Sequence, residues 1–356
     1  MRRHLRYAVR SIPALASLGL LAFVLRGADL GRAFGLVHAF GWRLPLLLLV
    51  PNLLAFAAEA LGWWLSFDRL GRRPNLASLL SIRLACDGLM LALPSGTVVS
   101  ESVQLYLLKR RCGIPLEMGI VASVARKCFV FFAHGLFLLV ATLLAWPAVH
   151  RASYATIGRL GLPWLLLFSA LALMAVAGVV VTATSQGRLA DRIHRSLDRF
   201  GGRWFGTWLE RNAGRFHSTD AGLRAFFRHD PSGFVLPVSL YLLGWLARSL
   251  ETLLFLRVLG VDVSLVTAMV IETSLILLRA VAVPVPAGLG VQDIGYVLCL
   301  RALRLPDAVT LGAAFVLLKR GRDLAFILLG LFLLALGRPG ATQLMASPAE
   351  RAGEAP

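Results

Sequence analysis

Two basic pairs, Arg126-Lys127 and Lys319-Arg320, lie within strongly apolar stretches of the chain. A charge left alone in hydrocarbon costs at least ~2.5–3.5 kcal/mol on insertion scales, so each base must meet an acid, water or an anionic ligand. Arginine suits phosphate, because its planar guanidinium donates two parallel hydrogen bonds. The same stretches carry Arg83, Arg248, Arg279 and Arg322, with the acids Glu59, Asp87, Glu101, Glu251, Glu272, Asp293 and Asp323. Arg83 with Asp87, Arg248 with Glu251, and Lys319 with Asp323 stand one helical turn apart and are expected to pair. Arg126 and Lys127 have no acid within four residues, so their partners must come from another element. Arg126, Lys127, Lys319, Arg320 and Arg279 are therefore candidates for holding the phosphate of a lipid headgroup. In the alternative, the bases pair structurally with Glu101 and Asp293. Glu101, Asp293 and Asp87 are also candidates for a coupling-ion or proton site.

Other chemistries find little in the sequence. It contains no HExxH zinc motif and no GxxxxGK[ST] phosphate loop, so neither a metalloprotease nor an internal ATPase is expected. No nucleophile–base pair can be named, so no catalytic residue is assigned and no metal or cofactor is called for. His134 reads as a hydrogen-bonded structural histidine. Cys86, Cys112, Cys128 and Cys299 form no CxxC pair and read as small buried hydrophobes.

These charges sit in a chain of 356 residues that is 58 % hydrophobic and only 16 % charged. A soluble domain carries roughly 25 % charged residues, so a water-exposed surface cannot be assembled from this composition. Nineteen acids face 37 bases, giving +18, and only Lys109, Lys127 and Lys319 are lysines. In a polytopic chain such an excess points to anionic membrane lipids as partners rather than nucleic acid. Lipid-biosynthesis enzymes are further candidate partners, and the oligomeric state is not set by the sequence.

Apolar runs at about 12–25, 44–67, 118–146, 163–184, 234–257 and 308–336 are expected to be full spans. The first follows Arg2, Arg3 and Arg6 and lacks a small-x-small cleavage site, so it is read as an uncleaved span. Two further runs, 76–94 and 264–286, end in proline and pass through a glycine-containing turn into less apolar helices. Backbone broken in this way is tolerated at membrane depth only where protein or water covers it, so each is expected to be a re-entrant helical hairpin. Their turns are marked by Pro94 and Gly96, and by Pro286, Gly288 and Gly290.

The two hairpins share a register. Pro94-Ser95-Gly96-Thr97-Val98-Val99-Ser100-Glu101 precedes Pro286-Ala287-Gly288-Leu289-Gly290-Val291-Gln292-Asp293 by 192 residues, and that offset also pairs Lys127 with Lys319 and Asp87 with Arg279. With the N-terminus in the cytoplasm, 21 of the 37 basic residues fall on the cytoplasmic side and 8 on the other, which sets an N-in, C-in topology. The copies at 44–146 and 234–336 then start on opposite sides. The expected fold is an all-α polytopic membrane protein with an inverted-topology repeat and two broken helical hairpins, an architecture that places substrate near the midplane.

The proline-glycine hairpins, the basic pairs that follow them and the span layout resemble the flippase-like transmembrane region of lysylphosphatidylglycerol synthases, from about 12 to 336. Pro286-Ala287-Gly288-Leu289-Gly290-Val291-Gln292-Asp293 is close to that family's Pro-x-Gly-x-Gly-x-x-acid signature, and Glu101 matches the acid of the first hairpin. Val98 and Val99 depart from the glycines common there, and Gln104 from the usual arginine. The resemblance implies translocation of a lipid between leaflets: an aminoacylated phospholipid, or a hopanoid or polyprenyl lipid as in stand-alone relatives. A bacterial inner-membrane location follows from it. The synthase reaction needs a soluble aminoacyl-transfer domain, and the short Pro- and Gly-containing segment after Leu336 is expected not to supply one. The reading is a flippase-like lipid transporter without its own ATPase and not itself an enzyme. The alternative is a membrane-embedded lipid-modifying transferase or an accessory subunit of lipid or glycan biosynthesis.

The chain accordingly divides into an N-terminal span and loop (1–43), a first membrane repeat with a linking span (44–184), a basic cytoplasmic loop (185–232), a second, inverted repeat (233–337) and a disordered tail (338–356). In the loop, Leu189, Ile193, Leu197 and Phe200 recur at helical spacing opposite Arg188, Arg192, Arg195 and Arg199. An amphipathic helix lying in the plane of the anionic leaflet is expected there.

Overall fold

Long unbranched runs of Leu, Ala and Phe favour helix, and in lipid a helix satisfies its own backbone. A computed structural model describes residues 19, 22–23, 26–93, 96–158, 161–186, 218–228, 231–281, 288–305 and 307–336, and among them it is helical throughout, with no strand. Helix α1 (Leu30–His38) is followed by α2 (Arg43–Arg69), α3 (Leu76–Ala92), α4 (Gly96–Cys112), α5 (Leu116–Leu144), α6 (Trp146–Ile157) and α7 (Leu162–Ser185). Then come α8 (218–228), α9 (Val235–Val258), α10 (Leu265–Val281), α11 (Val291–Ala302) and α12 (Ala308–Leu336). Helices α2, α5, α7 and α9 are long and apolar enough to cross a membrane. Helix α12 is 29 residues long, but Lys319, Arg320, Arg322 and Asp323 interrupt its middle. The chain is an all-α, multi-pass membrane protein. Most of 12–25, the segment 189–200 and everything after 336 lie outside the described residues.

The offset of 192 residues returns in the helix starts. Helices α2 and α9 begin at 43 and 235, and α5 and α12, each of 29 residues, begin at 116 and 308. Packing follows the same pairing. Helix α2 lies against α9, α3 crosses α12 as α10 crosses α5, and each short helix packs on its sequence neighbour, α3 on α4 and α10 on α11. The α3–α12 crossing is close: a Cβ on Gly88 would lie 3.0 Å from Gly330 Cα and 2.9 Å from the Phe326 carbonyl oxygen. Only glycine at both positions lets the backbones approach so nearly.

Ends are fixed by local chemistry. The Asn75 side chain accepts from the Ala77 N–H at 2.8 Å to cap α3, and Asp29 caps α1 by accepting from the Arg32 N–H at 2.9 Å. Arg32 reaches Asp307 at 2.7 Å at one end of the bundle, and Arg111 donates to the Leu333 carbonyl at 2.9 Å at the other.

Three elements were not foreseen from hydropathy. Helices α1 and α6 are short and of mixed composition. Helix α8 lies inside the segment expected to be a solvated or membrane-surface loop, yet Leu223, Phe226 and Phe227 are buried against Phe129, Phe234 and Tyr241. Its sequence is basic overall, and its apolar face spans too few residues to stand out within a segment of nine arginines, two of them its own. The guanidinium of Arg69 covers this aromatic group, 4.5 Å from the Phe234 ring centroid and 5.5 Å from that of Phe226.

Candidate functional site

Among the described residues, the charges inside the bundle are gathered into three groups. In the first, between α2, α3 and α9, Glu59 accepts from Arg83 Nη2 at 3.0 Å and from Arg248 Nη2 at 2.6 Å. Arg83 also stands 3.8 Å from Asp87, and both guanidiniums lie over the Phe56 ring. Arg248 therefore meets Glu59 across the helix interface rather than Glu251 on its own helix. A contact along one helix stabilises by only a few tenths of a kcal/mol, and leaving a buried Glu59 unpaired would cost several times that.

The second group, around α9, α10 and α12, is the most buried. Lys319 Nζ donates to Glu251 Oε2 at 2.6 Å, Thr252 Oγ1 at 2.9 Å and Glu272 Oε2 at 2.9 Å. An ammonium has three protons, so these three acceptors use all of them. Phe255, Tyr296 and Phe315 surround it, and its side chain is 1 % exposed. Asn52 donates to Glu251 at 2.5 Å and Arg322 donates to it at 2.9 Å. The expected Lys319–Asp323 pair does not form. Asp323 is taken instead by Arg320 at 2.9 Å and Arg322 at 2.7 Å. Two carboxylates from neighbouring helices hold Lys319 more firmly than one acid on its own helix could.

The basic pairs meet the hairpin acids. In the second half, Arg320 grips Asp293 through Nη2 at 2.5 Å and Nε at 3.0 Å. Asp293 is fully buried and its other oxygen accepts from the Gly290 N–H at 2.8 Å, closing the first turn of α11. Gly288 and Gly290 have φ of 63° and 79°, a region that L side chains avoid. In the first half, Glu101 Oε1 lies 3.1 Å from both Arg126 Nη2 and Lys127 Nζ. Gln104 accepts from Arg126 at 3.2 Å and donates to Ser123 at 3.0 Å. The Lys127 side chain is 43 % exposed and that of Glu101 29 %. Gly96 starts α4 where a Cβ would strike the Met90 carbonyl oxygen at 2.5 Å. On the open face of α4, Val98, Val99 and Tyr106 are exposed.

The structure thus brings Arg126, Lys127 and Glu101 together and places Lys319, Arg320 and Asp293 in a separate, closed network. Asp87 belongs to the Glu59 group. Pro94, Pro286 and the side chain of Arg279 lie outside the described residues. His134 Nε2 lies 3.3 Å from the Thr273 carbonyl oxygen and its ring stacks on Trp245 at 4.1 Å, a structural setting. Among the described residues no group of three His, Cys, Asp or Glu side chains could hold a metal.

Sequence reasoning passed over Asn52, Trp63, Gln104 as a bridging partner, and Thr252. Asn52 was visible as an amide inside an apolar run. Glu59 and Glu251 carried a further signal, since they too are 192 residues apart. Residues 11–336 match the sequence pattern of the family described as the lysylphosphatidylglycerol synthase TM region. No curated protein and no solved structure matches the chain.

Proposed function

Because the chain belongs to the family of lysylphosphatidylglycerol synthase transmembrane regions, we propose that it carries an anionic lipid between leaflets, binding the headgroup phosphate at Arg126 and Lys127. One observation carries this reading. Two bases share the acid Glu101, which leaves the group at +1, and among the described residues it is open where the other intramembrane charge groups are closed. A phosphate can replace Glu101 as acceptor there, with Arg126 as its directional donor and Lys127 as an adaptable charge. Two broken helix pairs, repeated at a constant offset, support an inverted repeat that rocks around this site, with α3–α4 and α10–α11 as re-entrant hairpins. The arginine bias supports N-in, C-in insertion in the bacterial inner membrane. Transport of this kind needs no ATPase, and lipid-biosynthesis enzymes would supply the cargo.

Purified protein in vesicles tests it. A fluorescent anionic phospholipid should become accessible to a membrane-impermeant quencher on the opposite leaflet, with its headgroup chemically unchanged. Mass spectrometry that found a covalently modified lipid in place of movement would overturn transport in favour of a lipid-modifying transferase.

A further inference from the structure

A third side chain stands between Arg126 and Glu101. Gln104, on α4 and 1 % exposed, presents its carbonyl oxygen to Arg126 Nη2 at 3.2 Å, and Glu101 Oε1 accepts from the same nitrogen at 3.1 Å. A guanidinium only donates, so the amide must turn its oxygen toward Arg126. Its NH2 then faces the Ser123 hydroxyl at 3.0 Å and Glu101 Oε2 at 3.4 Å. Gln104 thus touches both members of the ion pair, the base through an acceptor and the acid through a donor. Ser123 ties it to α5, one turn before Arg126. The guanidinium also lies 5.4 Å from the centroid of the Trp63 ring.

Burial makes such a group useful. The Arg126 side chain is 7 % exposed and that of Glu101 29 %. When an anionic ligand takes the place of Glu101, the acid keeps access to water, but a buried guanidinium whose acceptor moves away is stranded. A neutral amide bridges that moment without cancelling the charge of the group, +1, which a carboxylate at 104 would bring to zero. The frame itself does not require it. At the offset of 192 residues Gln104 and Ser123 correspond to Tyr296 and Phe315, whose ring centroids lie 4.9 Å apart. The Tyr296 hydroxyl accepts from Gln292 on its own helix at 3.0 Å. The same contact between helices is polar beside the open ion pair and aromatic beside the closed one. Resting on the headgroup site proposed above, we propose that Gln104, anchored by Ser123, is a positioning residue. It keeps Arg126 in place and hydrogen-bonded while Glu101 gives way to the ligand.

The test uses the full chain in phosphatidylcholine vesicles with acyl-labelled phosphatidylglycerol as the probe. The quencher assay is run over a series of probe mole fractions, so that half-saturation and maximal rate are read separately. Gln104→Met keeps the volume and removes the hydrogen-bonding atoms. Half-saturation should rise about tenfold, the scale of one hydrogen bond to a charged group. Ser123→Ala removes the anchor and should move it the same way by about two- to threefold, while Ser123→Thr keeps the hydroxyl and should match the parent. In an Arg126→Gln background Gln104→Met should add nothing, because the amide acts through Arg126. A half-saturation that neither Gln104→Met nor Ser123→Ala moves, or effects that simply add to that of Arg126→Gln, would make Gln104 a structural tie between α4 and α5 and overturn the proposal. Should Gln104→Met fail to fold, Ser123→Ala carries the same cycle with Arg126→Gln. If Arg126→Gln itself leaves half-saturation unchanged, the headgroup site falls and the positioning role with it. If Arg126→Gln shifts it and the other two variants do not, only the positioning role falls.

Discussion

Lys127 and Lys319 occupy equivalent positions 192 residues apart, and their surroundings could hardly differ more. Lys319 is sealed among two carboxylates, a hydroxyl and three aromatic rings, at 1 % exposure. Lys127 reaches one shared carboxylate and is 43 % exposed. The hairpin acids differ in the same sense. Asp293 is folded back on its own helix start and gripped by Arg320, whereas Glu101, one methylene longer, reaches out to Arg126 and Lys127. The second half has turned its charges into scaffold. Among the described residues, its closed network sets Lys319, Arg320 and Arg322 against four acids, compared with two bases and one acid at the open group of the first half. On the function proposed above, one copy of the charged site serves the ligand and the other holds helices together.

The largest expected effect falls on the closed side. Lys319→Gln leaves Glu272 buried with only the neutral Thr252 and Glu251 with Arg322 as its one remaining cation, and breaking a buried ion network from one side costs about 3–5 kcal/mol. The variant should melt far earlier in detergent or fail to accumulate in the membrane. If it melts like the parent and loses only transport, Lys319 contacts the ligand and the contrast between the halves is wrong.

Arg126→Gln comes next, and its effect should be on transport. Loss of a charge-assisted hydrogen bond to phosphate, roughly 1.5–3 kcal/mol, corresponds to about ten- to hundredfold in affinity. Glu101 keeps Lys127 and partial access to water, so melting should shift much less than for Lys319→Gln. The double variant Arg126→Gln with Glu101→Gln sharpens the reading. Stability recovered without transport supports a ligand role for Arg126, and recovery of both would make the pair structural.

Much of this frame was legible in the chain. Hydropathy gave the long helices because lipid leaves few alternatives to helix, and the offset located both breaks because Pro and Gly mark backbone that cannot continue regular structure. The pairing of charges was legible only in part: Arg83 stands near Asp87 and the basic pairs meet Glu101 and Asp293, as spacing and register suggested. Spacing along one helix proposed Arg248 with Glu251 and Lys319 with Asp323, but partners are chosen by which faces meet across helices, as Arg248 with Glu59 shows. The contrast in burial between Lys127 and Lys319 was hidden for the same reason, since register is a property of sequence and solvent access one of packing. Trp63 and Tyr241 were not singled out by the sequence, and only three-dimensional neighbours reveal that their polar atoms lack partners.

The smallest effect is expected at Lys127, and its form distinguishes a ligand-facing charge from a scaffold charge. Its side chain is 43 % exposed, so its attraction to Glu101 is screened by water and salt, and Lys127→Gln should change stability by no more than about 1 kcal/mol. Arg126 still satisfies the carboxylate at 3.1 Å, so nothing buried is stranded. A phosphate arriving at the group gains from Lys127 a charge rather than a fixed geometry. Lys127→Gln should therefore weaken transport severalfold at low ionic strength and less as salt is raised, and Lys127→Arg should restore most of the activity. Arg126→Lys, by contrast, keeps the charge but loses the planar fork and should stay impaired at every salt concentration. Equal salt dependence and equal rescue at both positions would mean that the two bases act as one undifferentiated positive patch, and the division of labour between them would fall.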